Sequence, residues 1–268
     1  MKIGFIGLGN MAKAIVGGLL EEGFSPSEII GSAATDETLE AAKELFLRDG
    51  ETIETTRSNT EVAEKAQVLF LSVKPQFLSQ VIGEIKGCVS ESCLIISIAA
   101  GKTISFLESE FGRKLHIVRC MPNTPALVSE GCTGVCYNSF VTEDEKTTAK
   151  KLLSSFGLAI DVPERLMDTV GAVSGSSPAF VFMFIEAMAD GAVKEGMPRK
   201  LAYDFAAQAV LGSAKLVLES GKHPGELKDM VCSPGGTTIE GVAALEESGF
   251  RSGVMKAITA CVEKSKKL

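Results

Sequence analysis

The chain has 268 residues, with 27 Lys and Arg against 34 Asp and Glu, a formal net charge of −7 and 45% hydrophobic residues. That is an acidic globular protein, long enough to bury a full core as one large domain or as two, without disulfides or a structural metal. A pI of about 5.1 and 6% aromatic residues exclude the basic, aromatic-bearing face that nucleic-acid binding requires.

Lys2 to Ile6 is a short apolar run closed by Gly7, after which Met11, Ala14, Ile15 and Leu19 recur at helical spacing until Gly23. This predicts a strand, a tight turn and a helix. A second strand is expected at Glu28 to Ala33, a helix from Asp36, and a short strand at Thr52 to Thr55. Gln67 to Val73 and Cys93 to Ile98 are continuous apolar runs, of the kind found in a sheet covered on both faces. Strands alternating with helical patterns predict a parallel sheet. His116 to Cys120 adds a strand that ends in the loop Met121-Pro122-Asn123-Thr124-Pro125, where two prolines forbid helix. Gly131 to Tyr137 and Leu158 to Val162 are the last strand signals. From Leu166 onward the pattern is helical, and composition changes near residues 163 to 166. The expected organisation is an α/β Rossmann-like nucleotide-binding domain over residues 1–164, followed by an all-α domain over 165–268. Ser177 to Gly196 is apolar on nearly all sides, with Phe180, Phe182, Phe184 and Met188, and such a helix must be covered on every face. A second copy of the chain is the expected cover.

The seven cysteines (Cys88, Cys93, Cys120, Cys132, Cys136, Cys232 and Cys261) are scattered and odd in number, and read as reduced core residues of a cytoplasmic protein. Cys132 and Cys136 lack the spacing of a zinc knuckle, and with His116 and His223 as the only histidines no metal site is expected. Lys2 leads into Gly-rich apolar residues rather than the long apolar core and cleavage site of a signal peptide. No apolar run approaches the ~18 residues of a membrane span. The stretch Ala179 to Ile185 stops at Glu186 and reads as a buried helix.

Gly7-Leu8-Gly9-Asn10-Met11-Ala12 fits the dinucleotide fingerprint, directly after the first strand and at the start of the first helix. Gly7 permits the tight turn, Gly9 lets the backbone approach a pyrophosphate, and the helix N-terminus supplies N–H donors. At the end of the second strand, Gly31-Ser32-Ala33-Ala34-Thr35 lacks the acid that would bind the ribose of NADH and repel a 2′-phosphate. No Arg stands there either, so NADPH is favoured by the absence of repulsion, with Ser32 as a phosphate donor. NADH stays open, because Asp36 lies within reach of the ribose. Asn59 is a further donor or, equally, a helix cap. Ser72-Val73-Lys74-Pro75 and Ile98-Ala99-Ala100-Gly101 end the fourth and fifth strands, and carboxyl ends of parallel strands border the cofactor crevice. Lys74 is a proton donor, a phosphate partner or a surface charge. Ser174-Gly175-Ser176-Ser177-Pro178 interrupts apolar sequence as a helix cap or a site, with Pro178 in the first turn of the long helix. Finally, Ser233-Pro234-Gly235-Gly236 must be a turn, after which Thr237 or Thr238 opens a helix. Its free N–H groups and hydroxyls suit a small carboxylate.

These motifs together resemble the pyrroline-5-carboxylate reductase family across essentially the whole chain. The resemblance rests on Gly7-Leu8-Gly9-Asn10-Met11, Val73-Lys74-Pro75, Met121 to Pro125, Ser174 to Pro178 and, most specifically, His223 to Glu240. It implies reduction of L-1-pyrroline-5-carboxylate to L-proline with NAD(P)H, the last step of proline biosynthesis, in the cytoplasm. A homodimer interlocked through the helical domain, with decamers as a further assembly, is also implied. By resemblance, Ile6, Gly7, Leu8, Gly9, Asn10 and Met11, then Ser32, Ala33 and Asn59, then Ser72, Val73, Lys74 and Pro75, and finally Ile98, Ala99 and Ala100 contact the cofactor. Glu164, Met230, Thr237 and Thr238 belong to the substrate site, which the turn itself extends to Ser233, Gly235 and Gly236. The basic residue that many relatives carry just after the second strand is missing here.

The chemistry suits these residues. Reduction of a cyclic imine needs a hydride at the ring carbon and a proton on nitrogen, and the imine is basic enough to enter protonated. Positioning then supplies most of the rate, with Thr238 orienting the ring nitrogen or the carboxylate. A 3-hydroxyacid dehydrogenase shares the Gly-rich opening and two-domain plan but needs a catalytic Lys on the long helix, which here reads Ala179-Phe180-Val181-Phe182-Met183-Phe184. A non-catalytic NADP-binding sensor would have no use for the loop from Ser233 to Thr238.

Overall fold

The computed structural model describes residues 1–267. Eight strands form one sheet in the order β3-β2-β1-β4-β5-β6-β7-β8. β1 (Ile3–Ile6), β2 (Ile29–Ser32), β3 (Glu54–Thr56), β4 (Val68–Leu71), β5 (Leu94–Ser97) and β6 (His116–Met121) are mutually parallel. Every residue of β1, β2, β4 and β5 is buried, which explains their largely apolar sequence, with Ser32 and Ser97 as buried polar exceptions at two strand ends. Phe5 and Phe70 sit opposite each other in register and stack with ring centroids 4.7 Å apart. The strand order reverses between β1 and β4, so a crevice opens at their carboxyl ends.

The sheet is covered by α1 (Asn10–Glu21), α2 (Asp36–Leu45), α3 (Asn59–Lys65), α4 (Leu78–Ile85), α5 (Ile104–Phe111) and α6 (Glu143–Ser154). Two buried clusters, one including Ile15, Leu19 and Phe156 and the other Val62, Ile82 and Leu107, form the layers on its faces. Gly18 lets α1 pack closely, since a Cβ there would come within 2.6 Å of the Ser155 carbonyl oxygen.

The expectation of an all-parallel sheet is corrected at its far edge. β7 (Gly131–Tyr137) runs antiparallel to β6, and β8 (Gly157–Asp161) returns parallel to β7 after α6. Residues 122–130 are too few for the crossover of about a dozen or more residues that a parallel connection needs. They form a short turn around Pro125 instead.

Compact units comprise Met1–Ser176 with the segment from Cys261 onward, and Ser177–Ala260. Helix is continuous from Glu164 to Lys194, through α7 (Met167–Val170), a π turn at Gly171–Ser176 and α8 (Ser177–Lys194). Ser174 to Pro178 is therefore not a cap, which corrects that reading. A proline inside a helix removes one N–H and crowds the preceding turn, and a π turn just before it relieves the crowding. The Ser174 carbonyl, which the missing N–H of Pro178 would have satisfied, accepts instead from Asn123 Nδ2 at 3.0 Å. Asn123 Oδ1 accepts from the Cys132 N–H at 2.7 Å, so one side chain ties the Pro-rich loop, β7 and the π turn together.

The helical unit continues with α9 (Arg199–Ser220), α10 (Pro224–Val231), α11 (Thr237–Glu247) and most of α12 (Phe250–Ser265), whose last turn from Cys261 belongs to the first unit. Among the described residues of α8 to α12, only Ala189, Ala202 and Ala206 are buried. Phe182, Met183 and Phe205 are 63, 67 and 66% exposed. The helix expected to be buried is thus uncovered within one chain. By length and composition, Glu164–Lys194 and Arg199–Ser220 are also long and apolar enough to cross a membrane, which corrects the expectation that nothing approaches that length. A single charge such as Glu186 ends an apolar run without making the surrounding helix polar. The cysteine reading is corrected in part: all seven are free, Cys93, Cys120 and Cys136 are buried, and the other four are half-buried.

Candidate functional site

The crevice begins where β1 turns into α1. Gly7 has φ +97°, and a Cβ there would also come within 2.9 Å of the Ser72 carbonyl oxygen, so glycine is required on both counts. Ser72 Oγ lies 2.7 Å from the Gly7 carbonyl oxygen and 3.0 Å from that of Ile6, fastening the turn to the tip of β4. A Cβ on Gly9 would meet nothing within 4 Å. Gly9 caps α1 without any side-chain hydrogen bond, and the first turn holds no acid. The first N–H groups of α1 therefore face an open approach with no competing acceptor, which is the arrangement a dinucleotide pyrophosphate fits. Ile6 and Leu8 are buried and offer backbone only, whereas Asn10 is exposed and Met11 half-buried.

At the tip of β2 the structure corrects the reading of Ser32. Its side chain is fully buried, and its hydroxyl donates to Asn59 Oδ1 at 2.7 Å instead of facing a phosphate. Asn59 Nδ2 donates in turn to Glu84 Oε2 at 2.7 Å. Ser58, not Asn59, caps α3, accepting from the Glu61 N–H at 3.2 Å. Ala33 is half-buried. The statement that no Arg stands at this tip is also corrected, because β3 lies beside β2 and delivers Arg57 there, 3.0 Å from Asp36 Oδ1. Sequence order hides this neighbour; only the pairing of β2 with β3 reveals it.

On the other side of the crevice, Val73 and Pro75 are half-buried and Lys74 is exposed at the start of a short turn. Ala99 is buried between half-buried Ile98 and Ala100, and Gly101 has φ +73°. These small residues leave the backbone at the end of β5 open to close approach.

Glu164 lies in the same unit. Its Oε1 accepts from Arg119 Nη1 at 2.9 Å and from the Ile104 N–H at 2.7 Å, at the start of α5. Arg119 is only 5% exposed, and sequence reasoning missed it. An arginine inside the apolar strand His116–Met121 was the available signal, since a buried guanidinium requires an anionic partner. Glu164 borders an open cleft of about 560 Å³ with Glu108, Cys136, Tyr137 and Asp161. Burial, reinforced by the Glu164 charge, pushes the Cys136 thiol up to about 11, so it stays protonated at neutral pH.

The remaining residues belong to the helical unit. Met230 is 64% exposed near the end of α10. The turn that follows closes with the Gly236 N–H donating to the Ser233 carbonyl at 3.0 Å, and Gly235 takes φ +66°. A Cβ on Gly236 would collide with the Ser233 side chain. Gly236 caps α11 with no side-chain hydrogen bond, leaving the first N–H groups free beside the exposed Thr237 and Thr238. One unit thus carries an uncapped helix start at the end of a parallel strand, and the other carries an uncapped helix start flanked by two hydroxyls. Among the described residues, no group of three or more His, Cys, Asp or Glu is placed to hold a metal ion.

Comparison with known proteins covers both regions of the chain. Residues 164–268 match the family model for pyrroline-5-carboxylate reductase dimerisation, and residues 2–101 match that for NADP oxidoreductase, coenzyme F420-dependent. The chain is 51% identical over 267 residues to the pyrroline-5-carboxylate reductase of Escherichia coli (strain K12), covering 100% of this chain and 98% of that one. The crystal structure of Plasmodium falciparum pyrroline carboxylate reductase with NADP bound superposes with a TM-score of 0.88 at 34% identity, covering 100% of this chain and 97% of that one. A pyrroline-5-carboxylate reductase structure from Coxiella burnetii gives 0.90 at 36% identity, covering 99% and 97%. With the likeness running through both units and both helix starts, this chain belongs to the pyrroline-5-carboxylate reductase family.

Proposed function

We propose that this chain reduces L-1-pyrroline-5-carboxylate to L-proline with NADPH, the last step of proline biosynthesis. The observation that carries this reading is the uncapped start of α11, with Thr237 and Thr238 beside free N–H groups, in a chain 51% identical to a named reductase of that substrate. The uncapped start of α1 takes the pyrophosphate, and Gly7 and Gly9 keep its approach clear. Ile6, Leu8, Asn10 and Met11 line this turn; Ala33, Asn59, Ser72 to Pro75 and Ile98 to Ala100 form the rest of the cofactor site, with Ser32 supporting Asn59 from behind.

NADPH, when bound, supplies the hydride that the ring carbon accepts. The protein's own part is positioning. Backbone N–H groups from Gly236 onward hold the substrate carboxylate, with Ser233, Gly235 and Thr237 shaping the turn and Met230 in the same unit, while Glu164 is assigned to the substrate by the family resemblance alone. The imine enters already protonated, so no general acid is required, and the Thr238 hydroxyl orients the ring nitrogen or carboxylate. NADPH oxidation followed at 340 nm with pyrroline-5-carboxylate tests this directly. The expected result is imine-dependent oxidation that forms proline, with kcat/KM reduced in Thr238→Ala by about 2–4 kcal/mol of transition-state stabilisation. Unchanged efficiency in that variant removes Thr238 from the mechanism.

The functional division is a nucleotide-binding half over residues 1–164 and a helical half over 165–268 that pairs with a second copy. The support is the dimerisation match and the bare apolar faces of α8 and α9. A second copy, rather than lipid or nucleic acid, covers those faces, in a cytoplasmic homodimer from which decamers assemble.

A further inference from the structure

We infer that Arg57 holds the 2′-phosphate of the adenosine ribose and is the residue through which this chain selects NADPH over NADH. The inference rests on the cofactor reading above and names the group that carries it. With a pyrophosphate at the start of α1, the adenosine ribose falls at the carboxyl end of β2, where an acid marks NADH enzymes and a nearby Arg accommodates the extra phosphate. The tip of β2 supplies neither from its own sequence. The Ser32 hydroxyl is buried against Asn59, and the Thr35 side chain is engaged in capping α2. The nearest cationic side chain comes from the neighbouring strand.

β3 pairs with β2 in parallel, with Thr56 opposite Ser32. Arg57 therefore leaves the sheet beside Ala33, a small and half-buried residue. Arg57 is half exposed and is held by one hydrogen bond, Nη1 to Asp36 Oδ1 at 3.0 Å. A guanidinium has five N–H donors in a planar fork, so donors remain for a phosphate. The same contact settles the part of Asp36. Unpaired, its carboxylate would repel a 2′-phosphate at the first residue of α2; paired with Arg57, its charge is offset. As a mere surface ion pair the contact would be worth little to stability and nothing to cofactor choice. That alternative makes the opposite prediction about binding.

The test is equilibrium binding of NADPH and of NADH, by nicotinamide fluorescence and calorimetry, to the full-length wild type and to Arg57→Ala and the milder Arg57→Gln. Thermal melting of each free protein serves as a control for folding. The expected result is NADPH affinity lowered by about tenfold or more in both variants, NADH affinity within about twofold of wild type, and unchanged melting. Equal weakening of both cofactors, or no change in either, overturns the assignment. Failure of the catalytic reading looks different: wild type that binds NADPH and discriminates through Arg57 but does not oxidise it with pyrroline-5-carboxylate. Wild type that binds neither nucleotide overturns the cofactor reading itself.

Discussion

Phe5 and Phe70 stack at 4.7 Å inside the sheet, fully buried, while Phe182 and Phe205 stand 63 and 66% exposed on the helices of the other unit. The central strands β1, β2, β4 and β5 are buried along their whole length between covering helices. α8 and α9 do the reverse, burying only Ala189, Ala202 and Ala206 and turning Phe182, Met183, Phe205 and Leu218 outward. Alanine inside and phenylalanine outside is a poor way to stabilise a lone helix pair and an effective way to build an interface. Burying each exposed large side chain contributes roughly 1.5–3 kcal/mol, so a set of them from two chains outweighs an association cost of about 4–15 kcal/mol. The first unit buries most of its large side chains, leaving Leu127, Val128, Leu158 and Ile160 bare toward its β8 edge, whereas the second leaves most of its own exposed.

The largest effect that would break this contrast is Phe205→Glu, which puts a charge where an apolar contact is required. Several kcal/mol of association is lost, and the variant runs as single chains or loses helicity, by light scattering and circular dichroism. Assembly unchanged from wild type would mean that this face of α9 is not covered by a partner. A middling effect is expected inside the sheet-bearing unit. Asn123→Ala strands the Cys132 N–H and the Ser174 carbonyl and should cost about 1–3 kcal/mol in urea melts, without altering assembly. A loss under about 0.5 kcal/mol would show that the π turn does not depend on this side chain.

Glu145→Gln should be the mildest. Burial works to raise the Glu145 carboxyl, but hydrogen bonds from Thr142 and His116 outweigh it and hold the group below its ordinary value of 4.5. A lowered folded value means that the stabilisation is present above 4.5 and is lost as pH falls through that range. The variant should be about 0.5–1 kcal/mol less stable at pH 7, with the gap closing below pH 4.5. A gap that does not narrow at all as the pH falls below 4.5 would contradict the ionic role of this cap.

The parts legible in sequence are those whose cause is local. The apolar runs of β1, β4 and β5, the Gly7 to Met11 turn and the Ser233 to Thr238 turn each declare themselves within a few residues. What stayed hidden depends on partners distant in sequence. Arg57 reaches the tip of β2 only because β3 is its neighbour, and Glu164 meets Arg119 across 45 positions. The antiparallel β7 was readable in principle from the short 122–130 connection, where chain length overrides the alternating pattern. The π turn before Pro178 required knowing that the helix continues through it. Both corrections at the β2 tip, buried Ser32 and neighbouring Arg57, come from sheet order rather than from residue type.

If a second copy finishes the helical unit, light scattering on the protein at micromolar concentration shows it most directly. It should give twice the 28.2 kDa chain mass or an even multiple of it. A folded, stable species at the single-chain mass would contradict it.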